Sequence, residues 1–60
     1  MNWYDDVNFM INLADNSVRR VSVITAMLQV NLISEHRTYL ENKLKQEIIK
    51  TIPEMISYFR

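Results

Sequence analysis

The chain of 60 residues has no glycine and no cysteine, and only one proline and one histidine. Each shortage excludes something. Glycine supplies positive-φ turns and two-residue hairpin loops at little cost. A chain without it has no easy route to a β-rich fold, whereas helices joined by Asn, Asp and Ser turns need none. Its absence also removes any phosphate-cradling loop and any glycine elbow for a nucleophilic serine. Without cysteine there are no disulfides and no thiolate metal sites, which is compatible with a reducing cytoplasm. The single His36 cannot build a histidine metal site.

An excess of charge of one sign is also missing. Seven basic residues balance seven acidic ones, and the halves differ little: residues 1–30 carry −1 and residues 31–60 carry +1. Direct nucleic-acid binding is therefore not favoured, because phosphate-gripping domains show a clustered positive excess. Asp5 and Asp6 stand where a secretory signal would need positive charge. The longest uncharged run, Val21 to Ser34, has 14 residues, short of the roughly 20 that span a membrane. These features predict a soluble, cytoplasmic, single helical domain over residues 1–60 that does not engage a membrane. A domain this small buries only about 60% of its unfolded surface. With neither cross-link nor metal to help, self-association or a partner surface is the expected source of the missing stability.

What is present points to an all-α fold of three to four helices. Asn2 can cap a first helix, with Asp5 and Asp6 complementing the positive end of its dipole, and Val7, Met10, Ile11 and Ala14 follow at helical spacing. Asp15-Asn16-Ser17 is the best break: Asn tolerates the left-handed conformation that ends helices, and Asp or Ser can cap the next. The stretch from Val18 to Ile33 is unusually apolar, with Val21, Ile24 and Leu28 on one face and Val23, Met27 and Val30 on a second. A helix apolar on two faces must be covered on two sides. That places an oligomer interface at Val21, Val23, Ile24, Met27, Leu28 and Val30. The alternatives are a central core helix of a monomer and, for the β-branched run 21–25, a short strand.

From Ser34 onward Leu40, Leu44 and Ile48 recur every fourth residue, widened by Tyr39 and Ile49, with Arg37–Glu41 and Glu41–Lys45 pairs outside. Pattern leaves open whether Ser34 caps a new helix; one long, bent helix over 17–50 is the preferred reading. Thr51-Ile52-Pro53-Glu54 has the form of a capping box with a first-turn proline. It predicts a short C-terminal helix over 53–59, folded back as a lid by Met55, Ile56 and Phe59. The whole is expected to form a homodimeric helical assembly around one long central apolar helix.

No constellation calls for chemistry. Glu35 and Arg37 flank His36, but adjacent helical residues point about 100° apart, so Glu35 does not orient the imidazole. His36 reads as a solvated helix residue, with a pH-sensitive or interface role as the alternative. Asp5 and Asp6 read as capping charges. Met10, Met27 and Met55 read as core or dimer contacts, and Arg19-Arg20 as a solvated basic spot that could meet an acidic partner. No catalytic, cofactor-binding or metal-binding residue is expected, and no small-molecule substrate; the chain is not read as an enzyme.

In order along the C-terminal half stand Ser34-Glu35-His36-Arg37, Lys43-Leu44, Ile52-Pro53 and Tyr58-Phe59-Arg60. Over these 27 residues the chain resembles the Hha/YmoA family of small helical transcription modulators. It departs in lacking the family's cysteine and in carrying Ser57-Tyr58 where the family has a tryptophan. The resemblance implies a cytoplasmic co-regulator that docks on a nucleoid-associated silencer of the H-NS type. Glu35 would then meet an arginine of the silencer, with Arg37 as a neighbouring contact. The expected function is accordingly a protein-interaction module that modulates a regulatory protein, with Glu35, Arg37, Arg19 and Arg20 as partner-binding candidates. Three alternatives remain open: a self-assembling structural or chaperone-like protein, a small phage- or plasmid-type inhibitor of a host protein, and a compact DNA-binding dimer. The last would require Arg19, Arg20, Lys43 and Lys45 to converge on one face.

Overall fold

The computed structural model describes residues 2–58, with the side chains of residues 54 and 58 excepted. It is all-helical: α1 spans Trp3–Asn12, α2 spans Ser17–Met27 and α3 spans Ser34–Tyr58. Both short helices open on asparagine caps. Asn2 accepts the Asp5 backbone N–H at 2.9 Å, and Asn16 accepts that of Arg19 at 2.9 Å. The break expected at 15–17 is present, with Asn16 itself as the cap rather than Asp15 or Ser17. No described residue has positive φ, so both turns are built without the conformation that glycine would supply.

The single long helix over 17–50 does not form. After Met27 the Leu28 N–H closes on Ile24, Gln29 N–H tightens onto Ala26, and the Gln29 side-chain amide donates to the Thr25 carbonyl at 3.3 Å. The last carbonyls of α2 thus find partners other than a continuing helix. The reversal over 28–33 has a clear return. It lets α2 run back along α3, so that Ile24 meets Leu40, which a straight helix could never do. The central apolar helix is therefore short, and no strand forms at 21–25.

The separate C-terminal helix does not form either. The Thr51 hydroxyl donates backward to the Ile48 carbonyl instead of capping a new helix, and α3 continues through Pro53. Proline lacks an N–H and removes one ladder bond, yet the segment is exposed and water can satisfy the freed Ile49 carbonyl. Met55 and Ile56 form no lid; both are exposed. The lid contact expected of Phe59 lies outside the described residues.

The helices run up, down and up. Val7, Ile11, Ile24 and Leu40 are the buried apolar core, with Trp3, Val23, Met27, Leu28, Leu32, Tyr39 and Leu44 packed around it. One residue of α2 ties the α1–α2 turn to α3. Arg20 Nε donates to the Ala14 carbonyl at 3.1 Å, and its Nη1 lies 4.0 Å from Glu47 Oε1. At the other end Trp3 and Tyr4 of α1 meet His36 and Tyr39 of α3.

Candidate docking cleft

An open cleft of about 220 Å³ lies where α1, the α2–α3 turn and α3 converge. Val7 and Leu40 form its buried floor, Trp3, Met27 and Leu32 its half-buried walls, and Met10 and Val30 its exposed rim. Every lining residue is apolar. The fold makes the cleft because α2 stops at Met27: the turn that follows carries Val30 and Leu32 over the groove between α1 and α3 rather than filling it. Its volume falls below the roughly 300–1,000 Å³ of pockets that enclose drug-sized ligands or cofactors. It suits one or two apolar side chains instead, and its two methionines are adaptable contacts for such anchors.

The Trp3 wall is held in place by an aromatic cluster. Trp3 and His36 stack face to face, with ring centres 3.7 Å apart and planes 1° from parallel. Tyr4 and Tyr39 meet this pair edge-on: Tyr39 lies 5.9 Å from Trp3, and Tyr4 lies 5.4 Å from His36. His36 is thus half-buried and stacked, which corrects its reading as a plainly solvated residue. Helical spacing held the clue, since His36 and Tyr39 share one face of α3 and an aromatic pair opens α1. What spacing could not show was that α1 lies parallel to α3 and brings the two groups together.

Glu35 and Arg37 are both exposed in the first turn of α3, each pointing about 100° away from the His36 that stacks on Trp3, and neither lines the cleft. Arg19 and Arg20 do not join them. Arg20 sits near Glu47, twelve residues beyond Glu35 on α3, about 18 Å at helical rise. Arg19 pairs with Asp15 at 3.2 Å with both side chains exposed, while Arg20 is committed to Ala14 and Glu47. The four cations named for a DNA-binding face do not converge, because Lys43 and Lys45, two residues apart, point about 160° from each other on α3.

The proposed oligomer residues divide. Ile24 is wholly buried within the chain, Val21, Val23, Met27 and Leu28 are half-buried, and Val30 is exposed at the cleft rim. The α3 pairs Arg37–Glu41 and Glu41–Lys45 do not close to ion-pair distance. Glu47, which spacing did not single out, is the buried charge of the fold. Its Oε1 lies 3.5 Å from Lys50 Nζ, and its Oε2 has no hydrogen-bond partner. Among the described residues no group of His, Asp and Glu side chains is placed to hold a metal ion, and no helix is long and apolar enough to cross a membrane. In comparison with known proteins, no family model, curated protein or solved structure matches this chain.

Proposed function

We propose that this protein acts by docking: it receives an apolar anchor from a helix of a regulatory protein and thereby modulates that regulator. The observation that carries the reading is the wholly apolar cleft, open at Met10 and Val30. A groove of this kind takes the apolar face of an amphipathic helix, one or two side chains at a time. Glu35 and Arg37, exposed in the first turn of α3, supply charges of both signs that can orient such a partner. The resemblance to the Hha/YmoA family directs the choice of target to a nucleoid-associated silencer.

The test is a binding titration against the purified dimerisation domain of such a silencer, run beside affinity capture from cells. Val30→Lys places a charge at the cleft mouth without touching the core, and should weaken binding at least about tenfold, equivalent to 1.4 kcal/mol. Glu35→Lys should weaken it by a smaller factor. A partner held equally by wild type and Val30→Lys, with circular dichroism unchanged, would place the docking surface elsewhere.

A further inference from the structure

The C-terminal half of α3 carries an apolar face that is left exposed among the described residues. Arg20 and Glu47 mark where the other helices end, and every described side chain from Ile52 to Ser57 is exposed. At about 100° per residue, Ile48, Ile49, Ile52, Met55 and Ile56 fall within one sector of roughly 120° centred on Ile52. Lys50 and Ser57 lie opposite. The five apolar side chains are each between 46% and 65% exposed. This sector is turned by about 100° from the Leu40–Leu44–Glu47 line that meets α2, so it is not an extension of the packed core. Toward the helix start the same sector becomes charged, with Arg37, Glu41 and Lys45. The apolar face therefore has a sharp limit.

We propose that this face binds a second copy of the chain, the two α3 ends packing antiparallel across Ile52. Five half-exposed side chains amount to a patch on the order of 500 Å² per copy, a size that marks an interaction site. Two such patches supply about the 1,000 Å² that a specific interface requires. Ile49, Ile52 and Ile56 repeat at three- and four-residue steps, the seam by which paired helices interlock. A two-fold arrangement uses the same patch on both copies and closes on itself. Charge selects the direction. A parallel pair would set Lys45 against Lys45 and Glu41 against Glu41, whereas antiparallel packing sends these residues to opposite ends of the contact. A net charge of zero leaves no overall repulsion between copies. A lipid surface is the poorer occupant, since helices lying on membranes are rich in Lys and Arg on their polar side and this segment offers only Lys50, already beside Glu47.

The experiment is sedimentation equilibrium on the full chain with Ile52→Lys, and disulfide trapping made clean by the absence of native cysteine. Wild type should sediment as a dimer at micromolar concentration, and Ile52→Lys should show half that mass with unchanged helicity. Ile52 lies outside the core, so the variant retains its fold. Mixed Ile49→Cys and Ile56→Cys chains should cross-link to each other more than to themselves. The proposal is independent of the cleft: Val30→Lys should remain dimeric, so failure of either reading leaves the other standing. A monomeric wild type, a dimer undisturbed by Ile52→Lys, or a monomer that instead co-sediments with anionic vesicles would each overturn it.

Discussion

Two side chains set the character of this molecule at the residue scale. His36 stacks on Trp3 and, through it, fixes one wall of the cleft. Removing the imidazole takes away an aromatic contact of about 0.5–1.5 kcal/mol beyond its area. In a domain of this size each 1 kcal/mol shifts the melting midpoint by about 4–8 °C. His36→Ala should therefore lower Tm by several degrees and shift the emission of Trp3, the only tryptophan, to the red; an unchanged spectrum would contradict the stack. Glu47 behaves differently. Its Oε2 is buried without a donor, while its Oε1 lies 3.5 Å from Lys50 Nζ and 4.0 Å from Arg20 Nη1. Glu47→Leu leaves the part-buried Arg20 guanidinium without its carboxylate and should cost about 1–3 kcal/mol in urea denaturation; an unchanged midpoint would show that the Ala14 carbonyl alone holds Arg20. The sequence hinted at the first role only through the helical face that His36 shares with Tyr39, and at the second not at all. His36 sits among charged neighbours, and Glu47 looks like any polar position on an amphipathic helix until α2 is laid against it.

Among the elements, the short helices were the most legible because their signals are local. Asn2 with Asp5 and Asp6, and the Asp15-Asn16-Ser17 break, act within one turn of the backbone, and the structure places caps at both. Asn16→Ala removes the acceptor for the Arg19 N–H and should cost about 1 kcal/mol, read as a lower midpoint in thermal denaturation; an unaltered midpoint would mean that packing alone sets the start of α2. The middle and the end were misread for a common reason. An apolar run from Val18 to Ile33 has the same periodicity whether the helix continues or reverses, and only the burial of Ile24 against Leu40 decides between them. Similarly, Thr51-Ile52-Pro53 carries the letters of a helix start, but the Thr51 hydroxyl is taken by the Ile48 carbonyl, and an exposed helix tolerates the missing proline donor.

For the molecule as a whole, the core is four buried apolar residues, while larger numbers of Ile, Leu, Val, Met and Phe side chains stay at the surface. Scattered exposed apolar residues are ordinary; what matters is that Ile48, Ile49, Ile52, Met55 and Ile56 gather on one face of α3, while Met10 and Val30 rim the cleft. The sequence composition made surplus apolar surface legible, but it pointed to α2, since the most apolar stretch lies there. Reversal of the chain shelters much of α2 and leaves the surplus on α3. In the proposed dimer the cleft, lined on α3 by Leu40, lies twelve residues along that helix from Ile52. The most direct measurement is hydrogen exchange of the backbone amides of residues 48–58 across a hundredfold dilution series. Protection in that segment should rise with concentration while residues 3–27 stay constant; protection independent of concentration throughout α3 would contradict association through this face.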